Sequence, residues 1–188
     1  MALDGADLVF VVTGLGGNTG TNTAPVVAKI AKEIGALTIG VVTTPFDFEG
    51  KKRSKLAEKG LKELNRECDS TLVVSNQKLL PLLDKNLDIS ESFKIIDSAL
   101  TQAVYGISRV VTSQEDDDNV RLDLDDLKTV MRHRGKAHIG VGEHQGKDAA
   151  YEAMKMVLES PLFDKTSFKG AMGILVHFHM HPAFPLME

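Results

Sequence analysis

Residues 14–22 run Gly-Leu-Gly-Gly-Asn-Thr-Gly-Thr-Asn between the apolar stretch Ala6 to Thr13 and a segment patterned as a helix. Glycines allow positive φ and close approach of the backbone to a ligand. The first turn of the following helix adds free N–H groups and the positive end of a dipole, so the chemistry on offer is anion binding. Thr19 and Thr21 supply hydroxyl donors. The spacing is neither Gly-x-x-x-x-Gly-Lys-[Ser/Thr] nor a clean Gly-x-Gly-x-x-Gly, and the loop has no lysine. A glycine cluster can also be a plain tight turn. Its place at the end of a buried strand, where open α/β sheets bind ligands, favours the phosphate reading.

Three further groups of residues could do chemistry. Asp97 follows Phe93 by four, so both lie on one face of a helix, within its apolar stripe. A carboxylate there needs donors. Guanine offers two, with Phe93 available to stack on the base; a neighbouring Lys or Arg would serve equally. Glu49 and Arg53, in Pro-Phe-Asp-Phe-Glu-Gly-Lys-Lys-Arg, are spaced i, i+4. They form either an exposed ion pair or hydrogen bonds to sugar hydroxyls and phosphate. His177, His179 and His181 alternate, so in a strand they share a face that could meet a metal ion. Pro182 turns the chain at once, and a polar sheet face is the simpler reading; no metal site is expected.

These residues must be positioned by something. The 188 residues are 43% hydrophobic and 26% charged, enough for a core and a soluble surface. A net charge of −4 argues against general nucleic-acid or anionic-membrane binding. One cysteine, Cys68, excludes an internal disulfide and fits a reducing, cytoplasmic compartment. No apolar run reaches the roughly 20 residues that span a bilayer, so no direct membrane insertion is expected. Strands are expected at Ala6–Thr13, Ala36–Thr43, Ser70–Ser75, Ala137–Gly142 and Ala171–His179. Helices are expected from about Ala24 to Gly35 with Thr23 as N-cap and Val26, Val27, Ile30 and Ile34 on one face, then at Lys51–Arg66, Ser90–Ile107, Asp125–Arg132 and Lys147–Ser160. An acidic stretch, Ser113 to Asn119, is a natural boundary. The alternation predicts an α/β fold: a partial Rossmann-like, mostly parallel sheet with helices on both faces. The glycine loop, Thr43 to Phe46, and Asn76 then meet at the carboxyl ends of the strands.

Taken together, these segments resemble the tubulin/FtsZ family of GTPases, and its FtsZ branch in particular. Gly-Leu-Gly-Gly-Asn-Thr-Gly-Thr-Asn is similar to that family's GGGTGTG loop. ALTIGVVTTPFDFEGKKR, VVSNQKLL, ESFKIIDSALTQAVYGIS and LDLDDLKTVM each resemble a family segment, in order, over essentially the whole chain. The resemblance implies GTP or GDP as ligand, with Mg2+, and head-to-tail self-polymerisation at a mid-cell division site. It implies that Gly16, Gly17, Asn18, Thr19 and Gly20 hold phosphates, that Glu49 and Arg53 meet the ribose and phosphate side, and that Asn76, Phe93 and Asp97 meet guanine. Asp123 and Asp126 would position and polarise the water that attacks the γ-phosphate in the next subunit's site. Three apart at a helix start, they share a face, although Asp there also simply offsets the helix dipole.

The implied organisation is residues 1–107 as the later part of a GTP-binding domain with a long central helix, 108–126 as the acidic catalytic-loop region, and 127–188 as the start of a second α+β domain. The family pattern extends beyond this chain on both sides, so a partial chain is expected, inactive alone because part of the pocket is missing. Asn18 and Asn22 stand where the family has glycines, and Arg121 where it has asparagine. Asparagine tolerates positive φ, but its side chain takes space beside the phosphates. These departures favour a second reading, an impaired interaction module that binds or caps full-length FtsZ without hydrolysing GTP. A dinucleotide binder fits less well, because Thr43 and Thr44 stand where an acidic residue would end the second strand.

Overall fold

A computed structural model describes residues 3–80, 89–112, 124–133, 136–160 and 170–181. Its elements are β1 (Leu8–Gly14), α1 (Asn18–Glu33), β2 (Leu37–Thr44), a 3-10 turn (Asp47–Glu49), α2 (Lys51–Glu67), β3 (Ser70–Ser75), α3 (Asn76–Leu79), α4 (Ile89–Thr112), α5 (Leu124–Met131), β4 (Lys136–Ala137) and α6 (Ala149–Glu159). The strands form one parallel sheet in the order β1-β2-β3-β4. β2 is central and buried on both faces, as its unbroken apolar run requires.

Two cores flank the sheet. On one face, α1 and α2 cover Val9, Val11 and Val42 with Ala24, Ala28, Ala31, Ala57 and Leu64. On the other, Ala103 and Ile107 of α4 and Leu127 of α5 cover Leu37, Ile39, Val41 and Leu72. The expected α/β architecture with helices on both faces is therefore present. Among the described residues no helix is long and apolar enough to cross a membrane.

Several elements differ from expectation. α1 begins at Asn18, with Gly17 as its N-cap, six residues before Ala24; Pro25 sits inside it without breaking it. Its buried positions are Thr21, Ala24, Pro25, Ala28 and Ala31, whereas Val26, Val27, Ile30 and Ile34 remain 36–56% exposed. Small side chains win the inner face because they let α1 lie close on both the sheet and α2. α4 runs on to Thr112, beyond the expected end at Ile107. The strand expected at Ala137–Gly142 contributes only Lys136–Ala137 to the ladder. Gly140 and Gly142 lie hard against α6, where a Cβ on Gly140 would stand 3.0 Å from the Val157 carbonyl oxygen. Residues 171–179 are not a strand: no ladder partner stands beside them among the described residues, and Met172, Ile174, Val176, Phe178 and Met180 stay exposed. No three His, Cys, Asp or Glu side chains gather to hold a metal among the described residues. His177 is held below its ordinary value by partial burial, then by the nearby positive charge of Arg109 and His179.

Close packing of α1 on α2 depends on Gly60, where a Cβ would overlap the Thr21 methyl and lie 3.2 Å from the Thr21 carbonyl oxygen. Gly60→Val should therefore destabilise the chain by about 1–3 kcal/mol, read as a lowered urea midpoint. Cys68, only 2% exposed, offers a second check. Burial pushes its thiol up from 9.0 to about 11. A thiol that stays protonated longer in the folded chain contributes stability that is intact below about pH 9 and lost as pH rises through about 11. Unfolding free energy should fall over that window by up to about 2–3 kcal/mol, and this component should vanish in Cys68→Ala.

Candidate functional site

The glycine loop is built by three constraints. Leu15 N–H donates to the Thr43 carbonyl at 2.9 Å, tying the end of β1 to β2. Gly16 then turns at φ +103, and a Cβ there would lie 3.1 Å from the Arg53 carbonyl oxygen and 3.4 Å from Pro45. Its N–H donates to the buried Oγ1 of Thr21 at 2.8 Å, closing the loop onto the first turns of α1. A Cβ on Gly20 would overlap the Thr13 hydroxyl and stand 2.9 Å from the Gly14 carbonyl oxygen. Gly17, by contrast, faces open space.

That space lies over the start of α1, which has no side-chain N-cap and no acidic residue in its first turn. Asn18 and Thr19 are exposed there. An uncapped 16-residue helix presents unpaired N–H groups and its dipole to whatever enters. Asn18 and Asn22 have helical backbone, so neither position needs glycine's freedom. The Asn22 side chain donates to the Asn18 carbonyl at 2.7 Å, along the helix.

The second loop packs against the first. Glu49 is a clamp: Oε1 accepts the Phe46 N–H at 2.8 Å and Oε2 accepts Arg53 Nη1 at 2.9 Å. Its side chain is 13% exposed, against 55% for Arg53, so the carboxylate is committed while the guanidinium keeps donors toward solvent. The i, i+4 ion pair is thus present, and it sits directly behind Gly16.

Aromatic and amide groups join the third loop and α4 to this cluster. Phe46 is buried, with Phe48 stacked on it at 4.8 Å and Phe93 edge-on at 5.9 Å. Asp47 N–H donates to Gln77 Oε1 at 3.1 Å, linking the loop after β2 to the one after β3. Asn76 is 5% exposed, and its Oδ1 is buried with no hydrogen-bond partner among the described residues. A buried amide oxygen without a donor is costly and invites a ligand that brings one.

Phe93 and Asp97 lie on α4 beside these loops, but both are exposed, so the expectation that Asp97 is buried in an apolar stripe is corrected. Its carboxylate pairs with no Lys or Arg among the described residues. Asp123 lies outside the described residues, as does Arg121. Asp126 is exposed in the first turn of α5, whose Leu127 packs with Leu37 and Ile107 at the amino end of β2. From Phe93 to Ile107, α4 advances about 21 Å, so Asp126 stands at the far end of the sheet from the glycine loop. One chain brings together Gly16, Gly17, Asn18, Thr19, Gly20, Glu49, Arg53, Asn76, Phe93 and Asp97, and leaves Asp126 out.

Two contributors escaped sequence reasoning. Thr21 reads there as a spare donor; it is a buried acceptor holding the loop. Gln77 fastens two loops through one side-chain bond. Gly60, a glycine inside a highly charged helix, was the one available signal for the close packing over Thr21.

Residues 1–84 match the family model described as the tubulin/FtsZ family GTPase domain, and residues 135–188 the FtsZ family C-terminal domain. The cell division protein FtsZ of Helicobacter pylori strain J99 is 45% identical over 186 residues, covering 99% of this chain and 48% of the relative. An empty FtsZ dimer from M. jannaschii superposes with a TM-score of 0.77 at 44% identity, over 86% of this chain and 46% of the other. CetZ2 from Haloferax volcanii, solved as a GTPγS-bound protofilament, gives 0.62 at 27% identity, over 77% and 42%. The chain spans about half the length of the relatives it matches.

Gly16 and Gly17 are neighbours with opposite demands, which provides a test of the loop geometry. Gly16→Ala, at positive φ and against a backbone carbonyl, should cost about 1–3 kcal/mol. Gly17→Ala, at φ −91 in open space, should stay within about 0.5 kcal/mol. Thermal unfolding of the two variants side by side reads the difference.

Proposed function

We propose, from the premise that this chain belongs to the tubulin/FtsZ family, that it carries a guanine-nucleotide face and a hydrolysis-assisting face of an FtsZ-type cell division GTPase. Nucleotide phosphates lie over Gly16, Gly17, Asn18, Thr19 and Gly20, received by the N–H groups at the start of α1. Arg53 adds positive charge from the side, and Glu49 holds it there. Asn76 and Asp97 meet the polar edge of guanine while Phe93 stacks on the base. Mg2+ accompanies the phosphates and neutralises charge that the loop's N–H groups do not. Catalysis is then mostly positioning and charge stabilisation of a phosphoryl transfer.

The observation that carries this reading is the separation of the two faces. The loop stands at the carboxyl ends of the strands and Asp126 at the amino end, roughly one helix length away along α4. An acid so placed reaches a phosphate only in another subunit, which favours head-to-tail assembly with hydrolysis at the junction. Asp123 and Asp126 are the residues we assign to orienting the attacking water. Assembly at mid-cell belongs to the same proposal. Helical backbone at Asn18 and Asn22 weakens the alternative of an impaired module, since the turn itself is undisturbed.

Binding of a fluorescent GTP analogue to the chain, alone and with the unmatched N-terminal portion of the H. pylori relative, tests the proposal. Binding of GTP in preference to ATP, strengthened by the added portion, is expected; no binding in either arrangement sinks it. Asn76→Leu should weaken GTP binding about 3- to 10-fold while leaving the chain as stable or about 1 kcal/mol more stable, because an unpaired buried oxygen has been removed.

A further inference from the structure

The basic residues of α2 are not scattered. Lys51, Lys55, Lys59, Lys62 and Arg66 follow at steps of four, four, three and four, so they line one strip of the helix. Fifteen residue steps make that strip about 22 Å long. All five residues are exposed. Lys59 reaches Glu63 at 3.8 Å, whereas Lys51, Lys55 and Lys62 have no carboxylate partner among the described residues. At the end of the strip, Lys32 of α1 donates to the Arg66 carbonyl at 3.3 Å, bringing one more cation. α2 holds seven Lys and Arg against three Glu, in a chain whose net charge is −4. Such concentration of one sign fits an anionic partner.

The same sequence holds a matching anion: Glu115-Asp116-Asp117-Asp118, four consecutive acids. We propose that the basic strip of α2 is a docking surface for this acidic run of a second copy of the chain. The sheet explains why the copy must be a second one. The acidic run joins Thr112 of α4 to Leu124 of α5, and both helices pack on the face formed by Leu37, Ile39, Val41 and Leu72. α2 packs on the opposite face, through Ala57 and Leu64. A connector tied at both ends to one face has the sheet between it and the strip of its own chain. An acidic peptide is preferred over nucleic acid because the chain as a whole repels polyanions, while a short acidic run brings only local charge.

The contact is between exposed groups, so salt should weaken it strongly. Sedimentation of the full chain should show self-association whose constant falls at least about tenfold between about 50 and about 300 mM salt. Reversing the strip (Lys55→Glu, Lys59→Glu, Lys62→Glu) and, separately, the run (Asp116→Lys, Asp117→Lys, Asp118→Lys) should each lower association about tenfold or more at low salt. Mixing the two variants should restore it, because each then supplies what the other lacks. A monomeric parent at low salt, or a mixture no more associated than its components, overturns the proposal. So does tighter binding of a short single-stranded RNA than of a peptide carrying residues 113–119. Far-ultraviolet circular dichroism confirms that each variant is folded, and the mixing arm remains decisive because both variants keep the sheet and cores untouched.

Discussion

The hydroxyl of Thr21 accepts the N–H of Gly16, and the rest of the site leans on that buried bond. It fixes where the glycine turn ends and α1 begins, because the acceptor belongs to the helix and the donor to the loop. With the loop held down, Gly16 lies directly on the backbone of Arg53, and Arg53 is in turn gripped by Glu49. The other side of Thr21 touches Gly60, so the helix that covers β2 and β3 is set by the same residue. A phosphate-sized opening over Gly17 exists because everything around it is pinned. The side chain that achieves this offers no new contact to a ligand through its lone pair; its role is to remove freedom from a turn made of glycines.

Sequence patterning identified most of the strands and the ends of the sheet, for a physical reason. A parallel strand covered on both faces must be apolar throughout, and β1, β2 and β3 each show such a run ended by Gly, Thr or Ser. The orientation of α1 was not legible. Two stripes compete on that helix, one of alanines and one of Val26, Val27, Ile30 and Ile34, and hydrophobicity favours the larger residues. Packing distance favours the smaller, since Ala28 and Ala31 at full burial leave room for the sheet beneath and α2 alongside. The start of α1 was also hidden, because glycine, asparagine and threonine signal a loop by propensity and only a buried hydrogen bond turns them helical. For residues 171–179 alternation was real in the sequence, but a strand is a pairing, and a pattern cannot supply the neighbour.

Site residues show the same division. Glu49 and Arg53 were open between an ion pair and a ligand contact, and the geometry gives the pair while leaving the guanidinium half exposed. Asp97 was placed in an apolar stripe by its spacing from Phe93, yet both project from the flank of α4 where it passes the loops. Periodicity locates a helical face to within a turn's width and cannot say whether that face ends at a neighbour or at solvent. Asn76 was legible as a strand-end amide; that its oxygen is buried without a donor was not.

A parallel sheet makes the molecule unlike at its two ends, and that asymmetry organises its electrostatics. α1, α2 and α4 all return against the strand direction, so all three direct their N-termini toward the carboxyl ends of the strands, where the glycine loop lies. Their dipoles add there to Arg53 and to Lys51 and Lys52 at the start of α2, producing a positive end. The opposite end collects the C-terminus of α4 and the acids of the α5 start, Asp125 and Asp126, and is negative. Two such molecules approaching end to end are attracted in one relative orientation and repelled in the reverse, before any side-chain fit is considered. A phosphate at the positive end would temper that attraction by its own charge, which makes the nucleotide part of the electrostatic balance between neighbours as well as the group to be cleaved.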